Sequence, residues 1–344
     1  MTAAGHKASQ ALRLIQYLDD RDRPCVGCVD ANGTGVRQLA GHQSMYALAC
    51  ASIAASATLE AVATAALEPG TRPYAELLGN RRMLPPLTHP DPAHCLVSGT
   101  GLTHLGSAAT RDAMHQGLAR QDEPLSDSMQ MFKRGIDGGR PSGNEPGVQP
   151  EWFYKGNGHI VVGCGWPLVA PAFALDSGEE PELVGLYVNA PDGRPHRLGF
   201  AIGNEFSDHV TERTNYLYLA HSKLRQCAVG PELRTGPLPA HLEGFSRIRR
   251  GETLRWGKPF LTGEANMCHS LANLEYHHFK YAAHRRPGDV HLHFLGTATL
   301  SFADNIHAAP GDIFEIDLPL LGAPLANPLA IAGSDFGMRD LRTL

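Results

Sequence analysis

A chain of 344 residues can bury a full core as one large or two modest domains. Thirty basic residues against 35 acidic ones, with no basic run longer than Arg249-Arg250 or Arg285-Arg286, give no footprint for nucleic acid. Residues 1–18 lack the apolar stretch of a secretory signal, and the seven cysteines (25, 28, 50, 95, 164, 227, 268) are odd in number and scattered, which argues for reduced thiols in a cytoplasmic setting. Cys25-Val26-Gly27-Cys28 is a lone CxxC with no second pair to complete a zinc site. The chain opens with β-like residues, followed by an alanine-rich helix over about 44–67. That run contains Glu60 and is mostly Ala, Ser and Thr, so it reads as a packed helix of a soluble protein and not a membrane span. A proline-dense linker covers 84–92. Beyond it, short apolar runs at 95–98, 168–173, 184–188, 291–294 and 313–318 alternate with Gly- and Pro-rich turns, and 270–281 reads as a helix carrying His277-His278. Residues 132–147 are glycine-dense and read as a long binding loop or lid. The expectation is an α+β protein: a small α/β domain at 1–90, then a β-rich catalytic domain at 91–344.

The most telling segment is Glu180-Pro181-Glu182, which runs into the strand-like residues 183–188. Side chains two apart on a strand share a face, so both carboxylates aim at one place. The strand leads into Asp192-Gly193, a strong hairpin signal. With those two residues at the centre of the turn, Glu205 falls opposite Glu180, on the face of Glu182. A bulge near the flanking prolines would slip the register and turn Glu205 away. Three converging carboxylates with no interleaved cation need a positive partner. An all-oxygen set suits a hard divalent ion: Mg²⁺ first, then Mn²⁺ or Ca²⁺. A solvated acidic strand edge is the alternative.

Several ordered blocks over about 84–330 resemble the fumarylacetoacetate hydrolase superfamily. Pro150-Glu151-Trp152-Phe153-Tyr154-Lys155 resembles its P-x-x-F-x-K block, Glu180-Pro181-Glu182-Leu183 its metal-binding E-x-E-L, and residues 199–207 its G-Y-x-I-x-N-D-x-S. Ser222-Lys223, Thr262-Gly263-Glu264, Pro287-Gly288-Asp289-Val290, Gly296-Thr297 and Pro310-Gly311-Asp312 follow in the family's order. Within it, Asn215-Tyr216-Leu217-Tyr218-Leu219 and the loop carrying Arg140 and Glu145 are similar to the sugar-acid branch, the 2-keto-3-deoxypentonate dehydratases. Two positions depart from the pattern. Glu205 stands where most relatives have Asp, and Ser207-Asp208-His209-Val210 replaces S-A-R-D, removing an arginine that many relatives direct at substrate.

The resemblance implies a rolled mixed β-sandwich, a homodimer, and Glu180, Glu182 and Glu205 as ligands of Mg²⁺. It also implies a 2-oxo acid substrate, with the ion acidifying its C3 proton. Lys223 is then the candidate base or proton shuttle, its pKa lowered beside the cation. Gly296 and Thr297 are expected to hold the substrate carboxylate; Lys155, Asn204, Tyr218, Arg140 and Glu145 are further expected substrate contacts. His104 or His115 is the candidate acid for the leaving hydroxyl, a packed histidine being the alternative for either. The implied reaction is dehydration of a 2-keto-3-deoxypentonate, a small-molecule sugar acid, to 2,5-dioxopentanoate. C–C hydrolysis or decarboxylation of an acylpyruvate and a non-catalytic sugar-acid binding protein are the competing readings.

Overall fold

The computed structural model describes residues 11–106, 125–333 and 336–344. Its centre is the hairpin Pro181–Asn189 and Pro195–Asn204, flanked by Val290–Phe294, which runs antiparallel to the first arm and parallel to Cys95–Gly99. These strands belong to a thirteen-stranded mixed sheet that also takes in Arg13–Leu18, Pro24–Val29 and Gly35–Gln38 through pairing of Arg13–Leu18 with Leu233–Arg234. The sheet is therefore continuous across the expected linker at 84–92. A second, five-stranded sheet is dominated by the long hairpin Leu242–Arg250 and Thr253–Thr262.

The two sheets pack face to face. Leu183, Phe200, Ile202 and Phe206 of the large sheet meet Ile248, Phe260, Phe314 and Ile316 of the small one. The opposite face of the large sheet, with Val184, Leu186, Leu292 and Phe294, is covered by Met45, Leu48, Ala49 and Ala63 of the N-terminal helices. With both faces covered, every residue of Pro181–Asn189 is buried, and its sequence shows a continuous apolar run instead of alternation. This is the α+β sandwich expected from the sequence.

Three local expectations are corrected. The 44–67 helix is two, Met45–Ala54 and Leu59–Ala65, because Ser56 takes a left-handed φ of 50° and Thr58 caps the second helix through Ala61 N. The first half of the glycine-dense 132–147 segment is helical (Asp127–Gly138), capped by Ser126. Its glycines serve close packing: a Cβ on Gly139 would sit 2.5 Å from Cys268 O, and one on Gly135 2.8 Å from His269 Nε2. The central turn is not centred on Asp192-Gly193 either. Ala190 N donates to Arg194 O and Gly193 N to Ala190 O, each at 2.8 Å, enclosing a three-residue loop with Gly193 at φ +80°. That slips the pairing by one residue, so Asn189 faces Pro195. A bulge at Leu198 then slips it back, and from Leu186–Gly199 to Pro181–Asn204 the register is the expected one. Glu205 N accordingly donates to Glu180 O at 3.0 Å, and the ladder continues into a Gly178–Ser207 bridge.

Candidate metal centre

The end of the central hairpin brings Glu180, Glu182 and Glu205 together. One oxygen from each lies within 4.8 Å of the others, and all three residues are buried. The register puts Glu180 beside Glu205, and strand alternation puts Glu182 on their side. Phe206 then takes a left-handed φ of 39°, an uncommon conformation for a bulky residue, held by its N–H donating to Asn204 Oδ1 at 3.0 Å. The same Oδ1 accepts from Glu180 N at 3.2 Å, so Asn204 ties the backbone at Glu180 to that at Phe206, next to Glu205, while its buried Nδ2 has no partner among the described residues.

The cationic partner of the trio is Lys223. Its Nζ donates to Glu180 Oε1 and Glu205 Oε2, both at 2.6 Å, and to Ser207 Oγ at 2.8 Å, with Glu212 Oε2 at 3.8 Å. Burial would lower its pKa, but Glu180 and Glu205 outweigh that and raise it above the usual lysine range. The expectation of a lowered Lys223 pKa is thus reversed while these carboxylates are its neighbours. Lys155 is also fully buried: Nζ donates to Phe206 O (2.9 Å) and Lys223 O (3.0 Å) and lies 2.7 Å from Glu205 Oε1. Every Nζ direction is taken, so Lys155 clamps Glu205 from behind and is not placed as a substrate contact. Burial lowers its pKa.

Glu182 forms no ion pair among the described residues; its Oε2 accepts from Gly296 N at 2.7 Å. Burial first, then Glu180 and Glu205, push its pKa well above the carboxylate range. For Glu180, burial alone would act the same way, but Lys223 and His209 hold it well below. A buried carboxylate short of positive charge, facing two others through oxygen atoms alone, fits a hard divalent cation. Glu180, Glu182 and Glu205 are the residues that would hold it.

The Gly296 amide is thereby committed to Glu182 instead of being open to a substrate carboxylate. Gly296 has φ +90°, and a Cβ there would lie 2.3 Å from Thr103 Oγ1, so only glycine fits. The Thr297 hydroxyl accepts from Thr299 N at 3.3 Å. His104 is buried behind this turn, Nδ1 3.0 Å from Thr103 Oγ1 and Nε2 2.9 Å from Thr262 Oγ1. Burial lowers its pKa to about 4, so it is a neutral packed histidine and not a ready proton donor. His115 lies outside the described residues. Arg140 donates to the carbonyls of Glu264 and Met267 and braces that loop, while Glu145 is exposed. Tyr218 packs edge-on against His221 on the surface.

One pair at the site is absent from the sequence reading. His209 Nδ1 lies 3.1 Å from Asp176 Oδ2, and its Nε2 lies 3.1 Å from Glu180 Oε1. Burial opposes its charge, but hydrogen bonds to the two carboxylates raise its pKa to about 10. The only hint in the sequence is the departure at Ser207-Asp208-His209-Val210; nothing there links it to Asp176. Cys25 and Cys28 are both buried, in the cores on opposite faces of the sheet, which leaves the CxxC no shared site.

No protein-family model matches the chain, and no curated protein matches it. Solved structures do, along nearly its whole length. The apo form of 2-keto-3-deoxy-D-arabinonate dehydratase superposes with a TM-score of 0.66 at 18% identity, covering 94% of this chain and 99% of its own. The same enzyme complexed with magnesium and 2,5-dioxopentanoate gives 0.64 at 18%, with the same coverage. A 2-hydroxyhepta-2,4-diene-1,7-dioate isomerase from Mycobacterium marinum gives 0.57 at 17%, covering 94% and 100%. At these identities the likeness establishes the fold, and that fold agrees with the resemblance drawn from the motifs.

Proposed function

We propose that the chain is a Mg²⁺-dependent hydro-lyase that converts a 2-keto-3-deoxypentonate to 2,5-dioxopentanoate and water. The observation that carries this reading is the buried trio of Glu180, Glu182 and Glu205 closed by Lys223, on a fold shared with a dehydratase whose structure holds magnesium and that product. A divalent cation in such a site polarises the C2 carbonyl of a 2-oxo acid and acidifies C3. The chain supplies the rest. Once a divalent cation shares the charge of Glu180 and Glu205, the hold that keeps Lys223 protonated would weaken, and its Nζ is the group to take the C3 proton and, as the ammonium, to return one to the C4 hydroxyl as it leaves. Loss of water leaves a C3=C4 enone with the C5 hydroxyl intact; loss of a C5 proton and return of one to C3 moves the double bond to C4=C5, and that enol tautomerises to the aldehyde at C5. Lys155 and Ser207 keep Glu205 in place, and Asn204 Nδ2 is a buried donor open to a substrate oxygen. The enzyme is read as a cytoplasmic homodimer, with residues 1–90 as a small domain ahead of the catalytic one. Among the described residues no single helix is long and apolar enough to cross a membrane.

The test is ¹H NMR of the purified protein with Mg²⁺ and both enantiomers of 2-keto-3-deoxypentonate. Loss of the C3 methylene signals and growth of an aldehyde signal, abolished by EDTA and by Glu182→Gln, are expected. Turnover of neither enantiomer, with pyruvate released from acetylpyruvate instead, would transfer the assignment to C–C hydrolysis.

A further inference from the structure

The position where the resemblance leads one to expect a substrate-directed arginine is occupied by a histidine that cannot reach a substrate. His209 is 1% exposed, stacks on Phe302 with ring centroids 5.2 Å apart, and has both nitrogens on carboxylates. The backbone is shaped around it. A Cβ on Gly178 would lie 2.2 Å from His209 Nδ1, so glycine at 178, bridged to Ser207, is what lets the imidazole sit between Asp176 and Glu180. Asp176 is itself fixed, with Arg225 donating to its carbonyl at 2.9 Å and His307 Nδ1 3.6 Å from its second carboxylate oxygen.

The consequence lies at Glu180. His209 and Lys223 both address Oε1, which leaves Oε2 as the free oxygen. Lys223 is the group proposed to move protons, so its hold on Oε1 is one it must be able to release; His209 has no such duty. Elsewhere in the trio, Glu205 has Oε2 on Ser207 and Lys223 and Oε1 beside Lys155, and Glu182 has Oε2 on Gly296 N. Each carboxylate is thus restrained from two-oxygen ligation. Mg²⁺ takes a near-ideal octahedron of single oxygens, whereas Ca²⁺ takes six to eight and often a bidentate carboxylate.

We infer that Asp176 and His209 form a positioning pair that pins Oε1 of Glu180, confines this carboxylate to one-oxygen ligation, and so makes the site select Mg²⁺ or Mn²⁺ over Ca²⁺. The inference rests on the metal site of the proposed function and adds the device that chooses the ion. A hydrogen-bonded partner behind a ligand is worth about 10–100-fold in metal affinity.

Isothermal titration of the full chain with Mg²⁺, Mn²⁺ and Ca²⁺ tests it with no substrate present. The wild type is expected to prefer Mg²⁺ to Ca²⁺. His209→Phe, which keeps the stacking on Phe302 but removes both nitrogens, is expected to lose about 10–100-fold in Mg²⁺ affinity and less for Ca²⁺, narrowing the preference. His209→Gln, whose amide can still donate to Glu180, is expected to recover part of it; Asp176→Asn, which leaves the imidazole in place, is expected to fall between and serves if the Phe variant does not fold. An unchanged Mg²⁺/Ca²⁺ ratio in a folded His209→Phe or Asp176→Asn protein, with Glu182→Gln still abolishing binding, overturns the positioning pair and leaves the metal site standing. Wild-type protein that binds no divalent ion overturns both.

Discussion

Two clusters of buried polar groups share the large sheet and solve the same problem in opposite ways. At the end of the central hairpin, Glu180, Lys223, His209 and Asp176 remain charged because each has an opposite charge within hydrogen-bonding distance. Between the helix Leu271–Phe279 and the same sheet, His278 of the helix and His291 and His293 of the strand are buried together, with no carboxylate hydrogen-bonded to them among the described residues. Trp152 Nε1 donates to His278 Nδ1 at 3.2 Å, which makes Nε2 of that ring the donor to His291 Nδ1 at 3.0 Å. Burial lowers His291 and His293 to about 3 and His278 well below its usual range. The same side chain, at equal depth, is a cation at 209 and a neutral ring at 291 and 293. Partners, not burial, decide the charge state.

The comparison breaks most sharply at Lys223. Lys223→Met removes the cation that Glu180 and Glu205 share among the described residues and leaves both carboxyl groups buried without it. Its loss is expected to destabilise the fold by about 3–5 kcal/mol. In urea unfolding without divalent ions, the midpoint should fall accordingly, and added Mg²⁺ should restore part of the loss. A midpoint unmoved from wild type would mean that the carboxylates are not ionised together.

Gly296 links the two clusters, since the strand that carries His291 and His293 runs on into the turn whose amide donates to Glu182. Gly296→Ala must place a Cβ against Thr103 Oγ1 from a left-handed backbone. Backbone strain alone costs about 1–3 kcal/mol, with the clash added to it. Thermal unfolding should show the loss, and Mg²⁺ titration should show weakened binding through Glu182. A fully stable variant would mean that the turn can move away from Thr103.

The neutral cluster gives a pH signature of definite sign. The folded-state pKa values of His291 and His293, about 3, lie below the unfolded value of about 6.5. The unfolded chain therefore binds more protons between those limits. Their contribution to stability is complete above pH 6.5 and is lost as pH falls towards 3. Each ring can add up to about 1.4 kcal/mol per pH unit to that slope. His293→Asn removes one titrating ring, so its stability should fall less steeply than the wild type's between pH 6 and 4.5. Parallel slopes for the two proteins would show that His293 is protonated in the folded state.

How much of this was legible in the sequence follows from the range of each interaction. The carboxylate trio was readable because a two-residue spacing and one turn determine it locally. Even so, the reading reached the right register through two departures, the three-residue loop and the bulge at Leu198, which cancel. The segment 132–147 was misread because glycine density signals a loop only if the glycines are not needed for contact; Gly135 and Gly139 are packed against Cys268 and His269. The Asp176–His209 pair spans 33 positions and two loops, and no periodicity connects them. The lowered pKa expected of Lys223 failed for a related reason. Its neighbours were read as ligands of an ion, whereas in the fold they are also its own counter-charges.

Two buried serines sharpen the comparison at the smallest scale. Ser207 Oγ donates to Glu205 Oε2 at 2.6 Å and accepts from Lys223 Nζ at 2.8 Å, so both of its bonds are charge-assisted. Ser98 Oγ is 2.9 Å from His293 Nδ1, a neutral partner whose Nε2 is unpartnered among the described residues. Hydrogen bonds to charged groups contribute about 1.5–3 kcal/mol and neutral ones about 0.5–1.5 kcal/mol. Ser207→Ala is therefore expected to cost roughly 1 kcal/mol more than Ser98→Ala in denaturant unfolding. The Ser207 loss should also diminish in high salt less than a surface ion pair would, because the cluster is shielded from solvent. Equal costs for the two serines would place the same charge, or the same lack of it, in both clusters, and the contrast between His209 and His293 would lose its physical basis.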